Sequence, residues 1–137
     1  MWTKACIFDL DGVIVDTAKY HFLAWKRLTD DLGIKFTRED NERLKGVSRM
    51  ASLDIILEIG GKKLAMSEKT ELAALKNKWY VEYISRMTPQ EILPGALEFI
   101  SELKSNKIKI ALGSASRNTP MILDRVGMNS IFDAVAD

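Results

Sequence analysis

Residues 5–10, Ala-Cys-Ile-Phe-Asp-Leu, form a short and nearly unbroken apolar run, the profile of a strand buried in a parallel sheet. Asp11-Gly12 closes the run as a turn, and a second apolar stretch at residues 13–15 leads to Asp16-Thr17, either of which is suited to cap a helix. From residue 18 to 32 the positions Phe22, Leu23, Trp25, Leu28 and Leu32 recur at helical spacing, and Gly33 ends the pattern. Helical segments are predicted over residues 38–45 and 50–59, with Gly46-Val47-Ser48-Arg49 between them and Gly60-Gly61 after the second. Ser67 is then placed to cap a longer helix reaching about residue 86, with Leu72, Leu75, Trp79 and Ile84 among its apolar positions. Beyond the punctuation of Pro89 and Pro94-Gly95, the pattern predicts a helix over 95–104, a strand over 108–112, a helix over 120–126 stopped by Gly127, and a strand over 131–136.

The order is therefore strand, helical block, helix, strand, helix, strand, and the last four elements alternate as α/β units. The helical block is too long for an ordinary α/β connection of a few residues and one helix. The expected organisation is an α/β core over residues 1–16 and 89–137, with an all-helical domain inserted over 17–88.

Composition narrows the function. Twenty basic and nineteen acidic residues leave a net charge of +1, which disfavours the clustered basic face of a nucleic-acid binder but leaves room for a small anionic substrate. Cys6, the single cysteine, lies in an apolar run and is expected to be a buried hydrophobe. No stretch approaches the ~20 apolar residues of a membrane span, and no secretory leader is recognisable, so no membrane partner and a cytoplasmic location are expected.

The chemistry concentrates at strand ends. Asp9 and Asp11 sit two residues apart where the first strand stops, the place at which open parallel sheets bind ligands. Two neighbouring carboxylates repel, and a divalent cation or a shared proton relieves this; a hard oxygen set of this kind suits magnesium. Asp9, ending the strand, is placed to attack phosphorus, and Asp11 to move a proton, while the amides of the turn at Gly12 are placed to face phosphate oxygens. A strand end and turn alone also explains the pattern, since Asp and Gly are common there. The cluster Ser114-Ala115-Ser116-Arg117-Asn118 follows the later strand and would lie beside the first, although Ser and Asn also cap helices.

Taken together, these residues resemble the haloacid dehalogenase superfamily, and more narrowly its beta-phosphoglucomutase family. The superfamily's first motif matches Phe-Asp-Leu-Asp-Gly-Val-Ile-Val-Asp-Thr at residues 8–17, and its second matches Ile-Ala-Leu-Gly-Ser-Ala-Ser at 110–116. The narrower resemblance rests on residues 19–26, 44–49, 93–95 and 106–118. It implies a Rossmann-like parallel-sheet core, incomplete at the C-terminus, with an inserted helical cap.

By the same resemblance Asp9 is the phosphorylated nucleophile and a magnesium ligand, and Asp11 is the acid/base and gives magnesium a backbone carbonyl. Ser114 and the Ala115 amide bind the transferring phosphoryl group, with Ser116 beside them. Asn118, and Arg117 where the family has lysine, touch the sugar phosphate. Thr17, His21, Trp25, Gly46, Val47, Ser48, Arg49 and Lys76 line the cap side, and His21 helps Asp11 into place. The implied activity interconverts beta-glucose 1-phosphate and glucose 6-phosphate through an aspartyl-phosphate and a bisphosphate, in a monomer whose partners are those sugar phosphates. A sugar-phosphate phosphatase is the nearest rival. The family's later lysine and acidic pair have no counterpart here, so an inactive fragment is the other alternative.

Overall fold

The computed structural model describes residues 2–137. In chain order the elements are β1 (Ala5–Asp9), α1 (Ala18–Asp31), α2 (Arg38–Glu42), α3 (Arg49–Ile59), α4 (Met66–Ile84), α5 (Ala96–Ser105), β2 (Lys109–Gly113), α6 (Thr119–Arg125) and β3 (Ala134–Ala136), with a short 3-10 turn at Pro89–Glu91 before α5. Contacts divide the chain into an α/β unit, comprising the described residues up to Thr17 and Tyr83–Asp137, and a helical unit, Ala18–Glu82.

In the α/β unit the strands pair in parallel in the order β1-β2-β3. The register sets Asp9 opposite Gly113 and Ala111 opposite Ala134, so the carboxyl ends of β1 and β2 lie side by side. Both crossovers step in the same direction, and right-handed connections then carry α5 and α6 to the same face of the sheet. That face holds the buried Phe8, Ile110 and Leu112. Phe8 meets Phe99 of α5 and Phe132 edge-on, with centroids 5.8 and 6.2 Å away. The opposite face carries Ala5, Ile7, Asp9, Lys109, Ala111, Gly113, Ala134 and Ala136, and Ile7 remains 76% exposed.

Past Asp9 the chain wraps around the Leu10 carbonyl, which accepts from the amides of Ile14 and Val15 at 2.9 and 3.2 Å. Leu10, Ile14 and Val15 are thereby buried completely, each contributing about 1.5–3 kcal/mol of apolar burial. Gly12 is left at the surface of the loop and takes the positive φ of 77° that the turn requires. The Leu93 amide donates to the Ile14 carbonyl at 2.8 Å, tying the later chain to this loop.

The helical unit buries Ala24, Trp25 and Leu28 of α1, Leu53, Ile56 and Leu57 of α3, and Ala73, Trp79 and Tyr80 of α4. Trp79 is a core residue, capped from outside by the Arg27 guanidinium 4.1 Å from its ring. Helix α2 is shorter than the expected 38–45: its start is fixed by a Thr37–Asp40 capping box, and the chain then turns through residues 43–46 into the loop before α3. Ser67 does not cap α4, because the helix begins one residue earlier, at Met66. The third strand is confined to Ala134–Ala136, and just before it Asp133 pairs laterally with β2, its carboxylate accepting from the Ile110 amide and its own amide donating to the Ile110 carbonyl, both at 2.8 Å. No helix among the described residues is long and apolar enough to cross a membrane.

Candidate active site

The candidate residues fall into two groups, one in each unit. In the α/β unit, β1 delivers Asp9 to the carboxyl end of the sheet, where one of its carboxylate oxygens accepts from the Leu10 amide at 2.7 Å. That bond holds the carboxylate at the strand end. Asp11 follows on the loop and accepts from the Thr17 hydroxyl. Its carboxyl is pushed above the ordinary carboxylate range chiefly by burial, against which the Thr17 hydrogen bond pulls down, with the negative charges of Asp9 and Asp16 adding to the rise. An aspartate whose proton affinity is raised, beside one at a strand end, can divide the work of proton carrier and nucleophile.

Gly12 plays a different part from the one expected. Its amide donates to the Val15 carbonyl at 2.7 Å and so closes the loop rather than facing outward. Thr17, buried at 1% exposure, likewise uses its hydroxyl on Asp11 and not on a helix end.

The register of β1 and β2 brings Ser114 one residue past the partner of Asp9. The Ser114 amide donates to the Ala136 carbonyl at 2.8 Å, and its hydroxyl oxygen accepts from the Ser116 amide at 3.1 Å. A hydroxyl used as an acceptor still has its own proton to give, so Ser114 can donate to an anion in front of the strand ends. Ser116 passes the chain into α6: its hydroxyl accepts from the Asn118 amide at 3.2 Å and its carbonyl accepts from the Thr119 hydroxyl at 2.7 Å. Ala115 and Arg117 are exposed, and the Asn118 side chain makes no capping bond although Asn118 occupies the N-cap.

The second group lies within the helical unit. Lys76 of α4 is 3% exposed, with its ammonium nitrogen 2.8 Å from Nδ1 of His21 and 4.7 and 5.0 Å from the ring centres of Trp25 and Tyr80. His21 stacks on Tyr80 with centroids 4.0 Å apart and an interplanar angle of 11°. Burial, then the Lys76 and Arg49 charges, pushes the His21 imidazole down to about 3; burial and the Arg49 charge push Lys76 down to about 7. The imidazole is thus neutral at pH 7, and its Nδ1 can accept from Lys76 wherever Lys76 is protonated. Arg49 opens α3 and is itself exposed, Ser48 caps that helix by accepting from the Ala51 amide at 3.3 Å, and the Val47 carbonyl accepts from Ser52 at 3.5 Å. Gly46 makes the preceding turn. The rings of His21, Trp25 and Tyr80 surround the Lys76 amine, and the Arg49 charge acts on it, an arrangement that can attract an anion.

Two residues in these groups escaped the sequence reading. Tyr80 had a signal in its spacing, four residues after Lys76 and so on the same helix face. Asp16, whose charge acts on Asp11, lies within the motif at residues 8–17 but was read there only as a candidate helix cap.

Two carboxylates fit a magnesium ion that keeps waters and takes its remaining oxygens from a substrate phosphate. Among the described residues no group of three or more His, Cys, Asp or Glu is placed to hold a metal. A cleft of about 330 Å³ lined by Lys104, Lys107, Ile108, Lys109 and Asp133 carries none of the candidate residues and opens at the entry of β2, the end away from Ser114.

Comparison with known proteins gives a consistent picture. The family of haloacid dehalogenase-like hydrolases matches residues 3–137. The chain is 51% identical over 136 residues to the beta-phosphoglucomutase of Bacillus subtilis, covering 98% of this chain and 60% of the relative. It is 29% identical to a phosphorylated carbohydrates phosphatase of Thermotoga maritima, covering 96% of this chain and 60% of the relative. The crystal structure of a beta-phosphoglucomutase from Clostridium difficile superposes with a TM-score of 0.86 at 48% identity, covering 99% of this chain and 62% of that one. The chain therefore spans about 60% of the length of the curated relatives it matches.

Proposed function

The chain belongs to the haloacid dehalogenase-like hydrolase family, and from that premise we propose that it carries the nucleophile of a magnesium-dependent sugar-phosphate mutase, interconverting beta-glucose 1-phosphate and glucose 6-phosphate. The observation that carries the reading is the register of the two strand ends: Asp9 with Asp11 at the end of β1, and the Ser114 hydroxyl at the adjacent end of β2. Similarity at 51% identity to a protein named beta-phosphoglucomutase supports the choice of substrate.

In this reading the Asp9 carboxylate attacks the phosphorus of a sugar bisphosphate in line with the departing sugar oxygen. The bond from phosphorus to that oxygen breaks, and Asp11, protonated at the start, gives its proton to the leaving oxygen. Ser114 donates to the phosphoryl oxygens. The reverse step uses Asp11 as the base on the other hydroxyl, so that the phosphate returns to a different carbon. Asp9 and Asp11 would hold a magnesium ion, which would supply charge neutralisation during the transfer. Arg49 and Lys76 are proposed to hold the anionic substrate, with Thr17 setting the proton affinity of Asp11. Arg117 and Asn118 are proposed contacts of the sugar phosphate. The same reading includes a cytoplasmic monomer with phosphorylated sugars as its partners.

A phosphatase is the second reading, favoured by the likeness to the Thermotoga carbohydrate phosphatase. The two separate on product. With magnesium and beta-glucose 1-phosphate, the mutase yields glucose 6-phosphate only when primed by a trace of bisphosphate, and Asp9→Asn lowers that rate about a thousandfold or more. Inorganic phosphate as the main product would overturn the mutase assignment in favour of hydrolysis.

A further inference from the structure

Two pairs of side chains interlock inside the helical unit. His21 and Trp25 stand four residues apart on α1, and Lys76 and Tyr80 four residues apart on α4, so each pair shares one face of its helix. The pairs meet crosswise. The His21 ring stacks on Tyr80 with centroids 4.0 Å apart and planes 11° from parallel. The Lys76 amine, 2.8 Å from Nδ1 of His21, lies 4.7 Å from the Trp25 ring centre and 5.0 Å from that of Tyr80. Trp25, Lys76 and Tyr80 are each 3% exposed or less.

Lys76 and His21 hold their hydrogen bond poorly by themselves. Lysine carries its amine on a flexible four-carbon stem, and an imidazole swings broadly about its last torsion. Once that ring leaves its plane, Nδ1 turns away from the amine. A second ring lying flat against the first removes this freedom. Tyr80 supplies it, and the same ring lies within reach of the amine, where its π face favours the charged form. Tyr80 thus meets both partners of the bond. The further charge acting on both is Arg49, at the start of α3.

We propose that Tyr80 is a positioning residue of the candidate anion site: its ring fixes the plane of the His21 imidazole, and so the direction in which Lys76 is held for an anionic substrate. Tyr80 touches no substrate in this role and acts through the other two side chains. Its part toward the anion rests on the reading that Lys76 holds the substrate; its part toward His21 does not.

His21 is the single histidine of the chain, so its ring nitrogens can be read directly by 15N NMR of histidine-labelled protein. At about pH 6 Lys76 is charged and the parent imidazole neutral, with its proton on Nε2 and Nδ1 accepting from Lys76. Tyr80→Phe keeps the ring and is expected to keep that signature. Tyr80→Leu removes the ring; the released imidazole is expected to mix its tautomers and to take up a proton as its affinity returns toward the ordinary 6.5. Inorganic phosphate, titrated into the full chain, is expected to bind about threefold to tenfold more weakly to Tyr80→Leu, the cost of ordering a freed lysine, and unchanged to Tyr80→Phe. Ile56→Val, a core truncation on α3, keeps the parent signature and separates loss of the ring from loss of packing. A folded Tyr80→Leu chain that retains the neutral, single-tautomer imidazole overturns the proposal, as does an equal effect of Ile56→Val or loss of the signature in Tyr80→Phe. Should the leucine chain not fold, Tyr80→Met, whose flexible side chain fills irregular gaps, is judged by the same outcomes. A parent chain that binds no phosphate sinks the anion role of Lys76 and the reading beneath it, while the ring nitrogens still decide what Tyr80 holds.

Discussion

Replacing Thr17 with valine removes the hydroxyl that donates to Asp11 while keeping the buried volume close to constant. Since that hydrogen bond is what opposes burial and the neighbouring aspartates, the Asp11 carboxyl rises further, and the acidic limb of its titration moves to higher pH. Carboxyl-carbon NMR of the two chains checks this; an unmoved or lowered value would falsify the role given to Thr17. Lys76 yields a second prediction. Its folded value of about 7 lies below the unfolded 10.5, and that of His21, about 3, lies below 6.5. Between each folded and unfolded value the unfolded chain binds more protons, so stability rises with pH, first across about 3 to 6.5 through His21 and then across about 7 to 10.5 through Lys76. Lys76→Met retains the apolar stem and removes the buried charge; it is expected to stabilise the helical unit by roughly 1–3 kcal/mol at neutral pH and to flatten the upper window, read by denaturant midpoints at pH 6, 7, 8 and 9. At this scale legibility tracked locality. Asp9 and Asp11 stood out because a strand end and its turn are contiguous in sequence. Lys76, which lies among many charges on α4, was singled out only through the resemblance; its burial depends on Trp25 and His21, more than fifty residues away.

The C-terminus of α5 shows how an element's end can oppose its own sequence. Asn106 caps the helix, the Ile108 amide returns to the Leu103 carbonyl at 3.0 Å, and Lys107 between them adopts a φ of 57°. That is the position at which helices usually place glycine, because an L side chain is strained by about 1 kcal/mol there. Lys107→Gly is accordingly expected to raise stability by about 0.5–1 kcal/mol, measured as a higher midpoint in urea, whereas Lys107→Val should lower it. Periodicity and glycine punctuation located most of the helices to within a few residues. The misjudged ends have a common cause: α2 and α4 take their limits from capping and turn geometry, Thr37 with Asp40 in one case and an onset before Ser67 in the other. The shortness of β3 was equally hidden, since Ile131 and Phe132 continue the apolar run but Asp133 uses both its side chain and its backbone to pair with Ile110.

For the whole molecule, the alternation of strand and helix was enough to read a parallel α/β core with an inserted helical block. The exposed Ile7 face was not readable, because a buried parallel strand and a strand covered on one side have the same near-continuous apolar sequence. Ile7 was expected inside with Cys6 and Phe8; burial of Phe8 and exposure of Ile7 follow from which face the two crossovers reach. The carboxylate pair and Ser114 were legible as strand-end clusters expected to lie side by side, and the register of Asp9 with Gly113 sets the two strand ends next to each other.

The pairing of β1 with β2 also has a consequence in time. Ala5 meets Lys109, so the first strand finds its partner only after more than half of the chain has intervened. Closing so long a loop in an unstructured chain is entropically costly and makes non-local pairing slow. The helical unit, built from neighbours in sequence, has no such delay, and once formed it replaces most of that loop with a compact body. Refolding is therefore expected to proceed helices first, with the strand that carries Asp9 among the last segments to acquire protected amides.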